Sequence, residues 1–120
     1  MIAVFDTNIV IDALNGAIQA DTEYARYDRV LISRITWMEV LIGAQEGDNN
    51  IRDFLATHFE IIDLDLTVAE LAIRLRREYH LRLPDAIIWA TAQANTAVLV
   101  TRNTKDFKAD WQDIILPYQL

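Results

Sequence analysis

Short β-rich runs alternate with longer helical segments from one end of the chain to the other, and this alternation narrows the fold more than any other feature. Ile2 to Phe5 is an apolar run that stops abruptly at Asp6, and the Thr-Asn-IVIDAL stretch after it reads as a helix opening straight from a strand. Val30 to Ile32 predicts a second strand, with Ser33 as cap of the helix RITWMEVLIGA and Ile35, Met38, Leu41 and Ile42 as its apolar stripe. After a break at Gly47 to Asn50, a helix is expected over Ile51 to His58, then a third strand at Ile61 and Ile62. Thr67-Val68-Ala69-Glu70 has the spacing of a capping box, opening a helix that buries Val68, Leu71, Ala72, Leu75 and Tyr79. Pro84 suits the first position of the next helix, DAIIWATAQA, where its missing N–H costs nothing. Ala97 to Val100 is a fourth strand and Ile114 to Leu116 a candidate fifth. Strands separated by helices imply a parallel sheet covered on both faces, so the expected fold is a three-layer α/β/α domain with four or five strands.

Residues 1–120 are expected to form one domain. There is no cysteine, which excludes disulfides, thiolate metal sites and cysteine nucleophiles together. The apolar start, MIAVF, has no basic residue before it and Asp6 interrupts it, unlike a signal peptide. No run approaches the ~20 apolar residues that span a bilayer, so a cytoplasmic protein without membrane contact is expected. Lys and Arg number 11 against 18 Asp and Glu, a formal net charge of −7. A nucleic-acid binder is ordinarily basic, so the acidity argues against that class unless several carboxylates serve cations.

The topology offers such a use. In sheets of this kind ligands bind beyond the carboxyl ends of the strands, and crossover helices begin on that same edge. Asp6 ends the first strand, and Asp85 lies in the first turn of the helix leading to the fourth. Glu39 is about one and a half turns into the helix after the second strand, within reach of the edge but flanked by Met38 and Leu41. Asp106 follows Thr101, the end of the fourth strand, by a few loop residues. Singly, each acid has a plain explanation as a cap, a helix-dipole partner or a loop residue. Together on one edge they would repel one another and resist ionising, unless a divalent cation neutralised them. Oxygen-only ligation favours Mg²⁺ or Mn²⁺ over zinc. Thr7, Ser33, Thr36 and Thr101 add hydroxyls near this edge for bonds to carboxylates or water, whereas His58 and His80 receive no role.

Four blocks in order, FDTNIVID, ISRITWMEVLIGA, LRLPDAIIWATA and LVTRNTKDF, resemble the PIN domain, and more narrowly a VapC-type toxin of a type II toxin–antitoxin pair. The resemblance covers essentially the whole chain. It implies an endoribonuclease dependent on Mg²⁺ or Mn²⁺, a homodimer, and inhibition by a cognate antitoxin protein. Its acidic positions carry over to Asp6, Glu39 and Asp85, with Asp106 as the fourth. Two departures stand out: Ala17 to Asp28 is short for the family, and the Thr-x-Asp after the fourth strand reads Thr101-Arg102-Asn103. By position Asn103 competes with Asp106 for the fourth place. An ionised carboxylate holds Mg²⁺ better than an amide, so Asp106 is taken as ligand and Asn103 as its helper.

The chemistry expected is hydrolysis of RNA phosphodiesters at a carboxylate-held metal, with these four acids as catalytic and metal residues. Thr7, Asn8, Arg82, Thr101, Arg102 and Asn103 are expected to line the substrate path, with Lys105 beside them. An antitoxin tail is expected to cross the apolar surface around Trp37, Met38 and Leu41. The alternative is a receiver-like Mg²⁺-binding signalling domain phosphorylated on Asp63. That reading lacks the lysine which such a module needs just past Ile114 to Leu116.

Overall fold

The computed structural model of the chain describes residues 1–47 and 49–120. Its strands are β1 (Ile2–Phe5), β2 (Arg29–Ser33), β3 (Glu60–Ile62), β4 (Val98–Val100) and β5 (Ile114–Ile115). Its helices are α1 (Thr7–Leu14), α2 (Ile18–Ala25), α3 (Arg34–Gly43), α4 (Asn49–His58), α5 (Leu66–Tyr79) and α6 (Leu83–Ala94). All strand pairs are parallel, in the order β3-β2-β1-β4-β5.

The central strands are apolar throughout because both faces are covered, and alternate side chains enter two separate cores. Val4, Leu31 and Leu99 face a core built with α5 and α6, where Trp89 and Trp111 stack with ring centroids 5.4 Å apart. Ala3, Phe5, Val30, Ile32 and Val100 face the other, with Ile9, Val10, Val40, Leu55 and Phe59. This is the three-layer α/β/α arrangement that the strand–helix alternation predicts.

Several local expectations change. The stretch between α1 and β2 contains a helix that the sequence pattern did not mark. The helix expected from Ile51 begins at Asn49; of the expected break at Gly47 to Asn50, Asp48 lies outside the described residues. α5 starts at Leu66, and its cap is Asp65, whose carboxylate accepts from the Val68 amide at 2.9 Å; Thr67 and Glu70 form no capping box. Leu83 precedes Pro84 in α6, so the proline is second rather than first. The apolar stripe of α3 is also different: Thr36 and Val40 are its buried residues, while Ile42 is 81% exposed and Met38 is exposed.

The chain reverses direction across the sheet between β1 and β4, and the crevice beyond their carboxyl ends is the topological switch point. Receiver-type domains have the order 2-1-3-4-5, in which the third strand is central. Here β3 is an edge strand, and Asp63 just after it is exposed and paired with Arg34 at 2.6 Å. Among the described residues no helix is long and apolar enough to cross a membrane.

Candidate active site

Asp6 sits at the switch point because β1 ends there and α1 begins at once. Its amide bonds to the Val100 carbonyl at 2.9 Å, which ties the end of β1 to the end of β4. Its carboxylate caps α1, accepting from the Thr7 amide at 2.7 Å. The Thr101 hydroxyl, at the end of β4, donates to it at 2.7 Å, and the Asn8 amide does so at 3.3 Å. Asp6 is buried, with 4% of its surface exposed. Burial raises its pKa to about 6 against the pull of these hydrogen bonds, and the neighbouring charges of Asp85 and Glu39 push the same way.

Glu39 reaches the edge as expected, from an exposed position on α3. Its longer side chain reaches back to accept from the Thr7 hydroxyl at 2.7 Å. That hydroxyl also lies 3.1 Å from the buried Thr36 hydroxyl, so α1 and α3 are joined directly beside Asp6. Asp85 is buried in the first turn of α6, where burial again raises the carboxyl pKa and the adjacent Arg82 guanidinium opposes the rise. Arg82 approaches Asp85 at 3.2 Å and Asp106 at 3.6 Å.

Asn103 and Asp106 form one unit. The Asn103 side-chain amide donates to the Asp106 carboxylate at 2.9 Å, and the Asp106 backbone N–H donates to the Asn103 side-chain oxygen Oδ1 at 3.1 Å. Phe107, fully buried beside Trp89 and Trp111, fixes the turn that carries them. Ser33 is spent as the cap of α3, accepting from the Ile35 amide.

Arg102 does not face outward. Its guanidinium lies on both carboxylate oxygens of Asp12 in α1, at 2.6 and 2.9 Å, and its amide donates to the Asn8 side chain at 3.0 Å. The Tyr118 hydroxyl completes the group, donating to Asp12 at 2.8 Å. This brace holds the Thr101–Asn103 segment against α1. Asp12 and Tyr118 had no place in the sequence reading. The available signal was an aspartate interrupting the apolar run IVIDAL six residues after Asp6.

Five candidate residues therefore meet around Asp6: Thr7, Asn8, Glu39, Asp85 and Thr101. Arg82, Asn103 and Asp106 lie along the Asp85 side, Lys105 is exposed, and Arg102 is turned away. Among the described residues no three His, Asp or Glu side chains are close enough to hold a metal ion together. The donor chemistry nevertheless suits a hard divalent cation. The acids offer only oxygen, and Asp6 is a buried carboxylate that no arginine neutralises.

Solved structures similar to this chain include a toxin–antitoxin complex. A toxin–antitoxin complex from Klebsiella pneumoniae contains a chain 44% identical to this one, covering 98% of this chain and 99% of that one, with a TM-score of 0.88. VapBC2 from Rickettsia felis, bound to a DNA fragment from its promoter, matches at 28% identity, 96% coverage of each chain and a TM-score of 0.75. FitAcB from Neisseria gonorrhoeae, at 22% identity, 100% coverage of each chain and a TM-score of 0.76, shares the fold. No curated protein matches the chain. The PIN domain family model matches residues 3–110, most of the chain. This chain belongs to the PIN domain family.

Proposed function

We propose that the protein is the toxin of a toxin–antitoxin pair, an endoribonuclease whose Mg²⁺ or Mn²⁺ would be held by Asp6, Glu39, Asp85 and Asp106. The observation that carries this reading is Asp6: a buried carboxylate at the switch point, facing two further acids and, among the described residues, lacking a cationic partner. A carboxylate in that position is costly unless something neutralises it, and the hard oxygen set around it favours a divalent cation. The 44% identity to a chain of the Klebsiella complex supports the toxin role and a cognate antitoxin as partner.

The metal, when bound, supplies a polarised phosphate and a water of lowered pKa. The chain's own groups do the rest. Thr101 and the Thr7 amide fix the Asp6 carboxylate in one orientation, and the Thr7 hydroxyl does the same for Glu39. Without a cation, burial holds the Asp6 carboxyl at a pKa of about 6, and a bound dication would keep it ionised. Asn103 orients Asp106 through its paired hydrogen bonds. Arg82 and Lys105, exposed on the same edge, offer cations to the RNA backbone, and Asn8 lines the approach to Asp6, whereas Thr101 is fully buried and acts only through its bond to the Asp6 carboxylate. Arg102 serves from behind, holding the loop. We propose that the protein acts in the cytoplasm as a homodimer. The antitoxin would lie along the exposed apolar residues of α3, Met38 and Ile42, and the groove beside Glu39 lined by Ile11, Leu14, Val40 and Ile51. Trp37 lies beside that surface with Arg34 and Arg52 stacked on its ring at 4.7 and 5.1 Å.

RNA cleavage would be compared for the wild type, Asp6→Asn and Asp85→Asn with Mn²⁺, with Mg²⁺ and with chelator. Activity that needs metal and falls at least about a hundredfold in both variants is expected. Cleavage that persists in chelator, or in both folded variants, would sink the proposal.

A further inference from the structure

Arg82 occupies the cap position of α6 but gives the helix no side-chain cap. Its guanidinium reaches instead into the gap between two acids of the candidate site. Nε and Nη2 lie 3.3 and 3.2 Å from one oxygen of Asp85, and Nη2 lies 3.6 Å from Asp106. Both nitrogens use the same Asp85 oxygen, so this is not the two-oxygen fork that makes arginine–carboxylate pairs strong. The exposures are also unequal: the Arg82 side chain is 74% exposed, Asp85 9% and Asp106 30%. The acids belong to the protein body, and the guanidinium reaches them from solvent. It spans the Asp85 and Asp106 side of the site and leaves Asp6 without a cation.

We propose that Arg82 is a built-in competitor for the metal, standing between Asp85 and Asp106 when no cation is bound and displaced from them when one enters. The inference rests on the metal-dependent reading above and adds a regulatory element to it. The charge argument runs in one direction. A doubly charged ion of small radius attracts the two carboxylates more strongly than a single delocalised charge at 3.2–3.6 Å, and a guanidinium that is itself 74% exposed and holds Asp85 through one oxygen is readily displaced. Once released, the guanidinium remains at the rim of the site, where a planar fork of donors suits a phosphate. The clamp thus couples metal entry to the freeing of a phosphate-binding group. The opposite role, an arginine that orients Asp85 for the metal, predicts weaker metal binding when Arg82 is removed.

The sign of that change is the test. Mn²⁺ binding would be measured by calorimetry at pH 7 and low salt, without RNA, for the wild type, Arg82→Gln, Arg82→Lys and Lys105→Gln. Arg82→Gln is expected to bind Mn²⁺ about three- to tenfold more tightly, and Arg82→Lys to fall between it and the wild type. Lys105→Gln removes the same charge from the same edge without touching the acids, and its affinity is expected to stay within about twofold. Equal or weaker binding by Arg82→Gln overturns the competitor while leaving the metal reading intact. An equal gain in Lys105→Gln overturns it too, because general charge would then explain the effect. Absence of Mn²⁺ binding in all four proteins overturns the metal reading and this inference together.

Discussion

Two arginines contact aspartates on the same edge of the sheet, and the contrast between them separates structure from readiness to react. Arg102 lays a parallel fork on both oxygens of Asp12 at 2.6 and 2.9 Å, with its side chain 26% exposed and the acid's 6%. Tyr118 adds a third donor, so that carboxylate is closed to anything else. Arg82, 74% exposed, divides one guanidinium between Asp85 and Asp106 and satisfies neither fully. Asp6 completes the series with no arginine at all. Carboxylates that are fully paired hold the fold in place, and those left short of positive charge are the ones available to a metal or a proton.

The largest effect should come from opening the closed pair. Arg102→Met leaves Asp12 buried with only the Tyr118 hydroxyl, and stranding a buried charge in this way costs about 3–4 kcal/mol. Denaturant unfolding would measure it. A loss below about 1 kcal/mol would place this pair among ordinary surface bridges and dissolve the contrast.

Asp6 should respond with the opposite sign. Its folded-state pKa, about 6, lies above the ordinary 3.8. The stability that its protonated form contributes is therefore complete below 3.8 and is lost as pH rises through 6. The metal-free wild type should weaken by about 3 kcal/mol across that window. Asp6→Asn should remove that loss and be the more stable protein at pH 7. Melting across pH in chelator would check this, and an unchanged pH profile in the variant would mean that Asp6 is not the uncompensated acid. Tyr118→Phe comes next, at about 1.5 kcal/mol for one hydrogen bond to a charged group, since Arg102 continues to hold Asp12. A loss as large as that of Arg102→Met would show that the hydroxyl, rather than the fork, closes the pair.

What was legible in the sequence was local. Asp6 could be placed at a strand end because the run IAVF stops there, and Ser33 as a cap because a strand meets a helix at it. The layers followed from apolar runs separated by helices. What escaped depended on partners distant in sequence. Arg102 and Asp12 are 90 residues apart, so nothing in LVTRN tells an RNA-facing arginine from one folded back on α1. α2 buries only Ala20 and Glu23 and has no side-chain cap, so it carries no apolar stripe to detect. In α3 the small polar Thr36 is buried and the larger Ile42 exposed, because Thr36 meets Thr7 of α1. At α5 the Thr67–Glu70 spacing put the start too late, and Asp65 is the cap because its carboxylate reaches the Val68 amide.

The smallest predicted effect is the one that tests the contrast most directly. Arg82→Gln should change the stability of the metal-free protein by less than about 1 kcal/mol, because an exposed arginine contributes little through a shared, monodentate pair. Its sign follows from the acids left behind. Asp85 is buried, its carboxyl pKa already raised by that burial, and the Arg82 guanidinium is the main influence pulling it down. Removing the guanidinium should raise that pKa further, so the stability that protonated Asp85 contributes persists to higher pH before it is lost. The variant should accordingly lose slightly more stability than the wild type between acidic and neutral pH, and the difference should shrink in high salt as the wild-type pair is screened. Unfolding at two pH values and two salt concentrations would resolve this. A loss for Arg82→Gln approaching that of Arg102→Met would mean that both arginines are structural, and the proposed division between closed and displaceable pairs would fail.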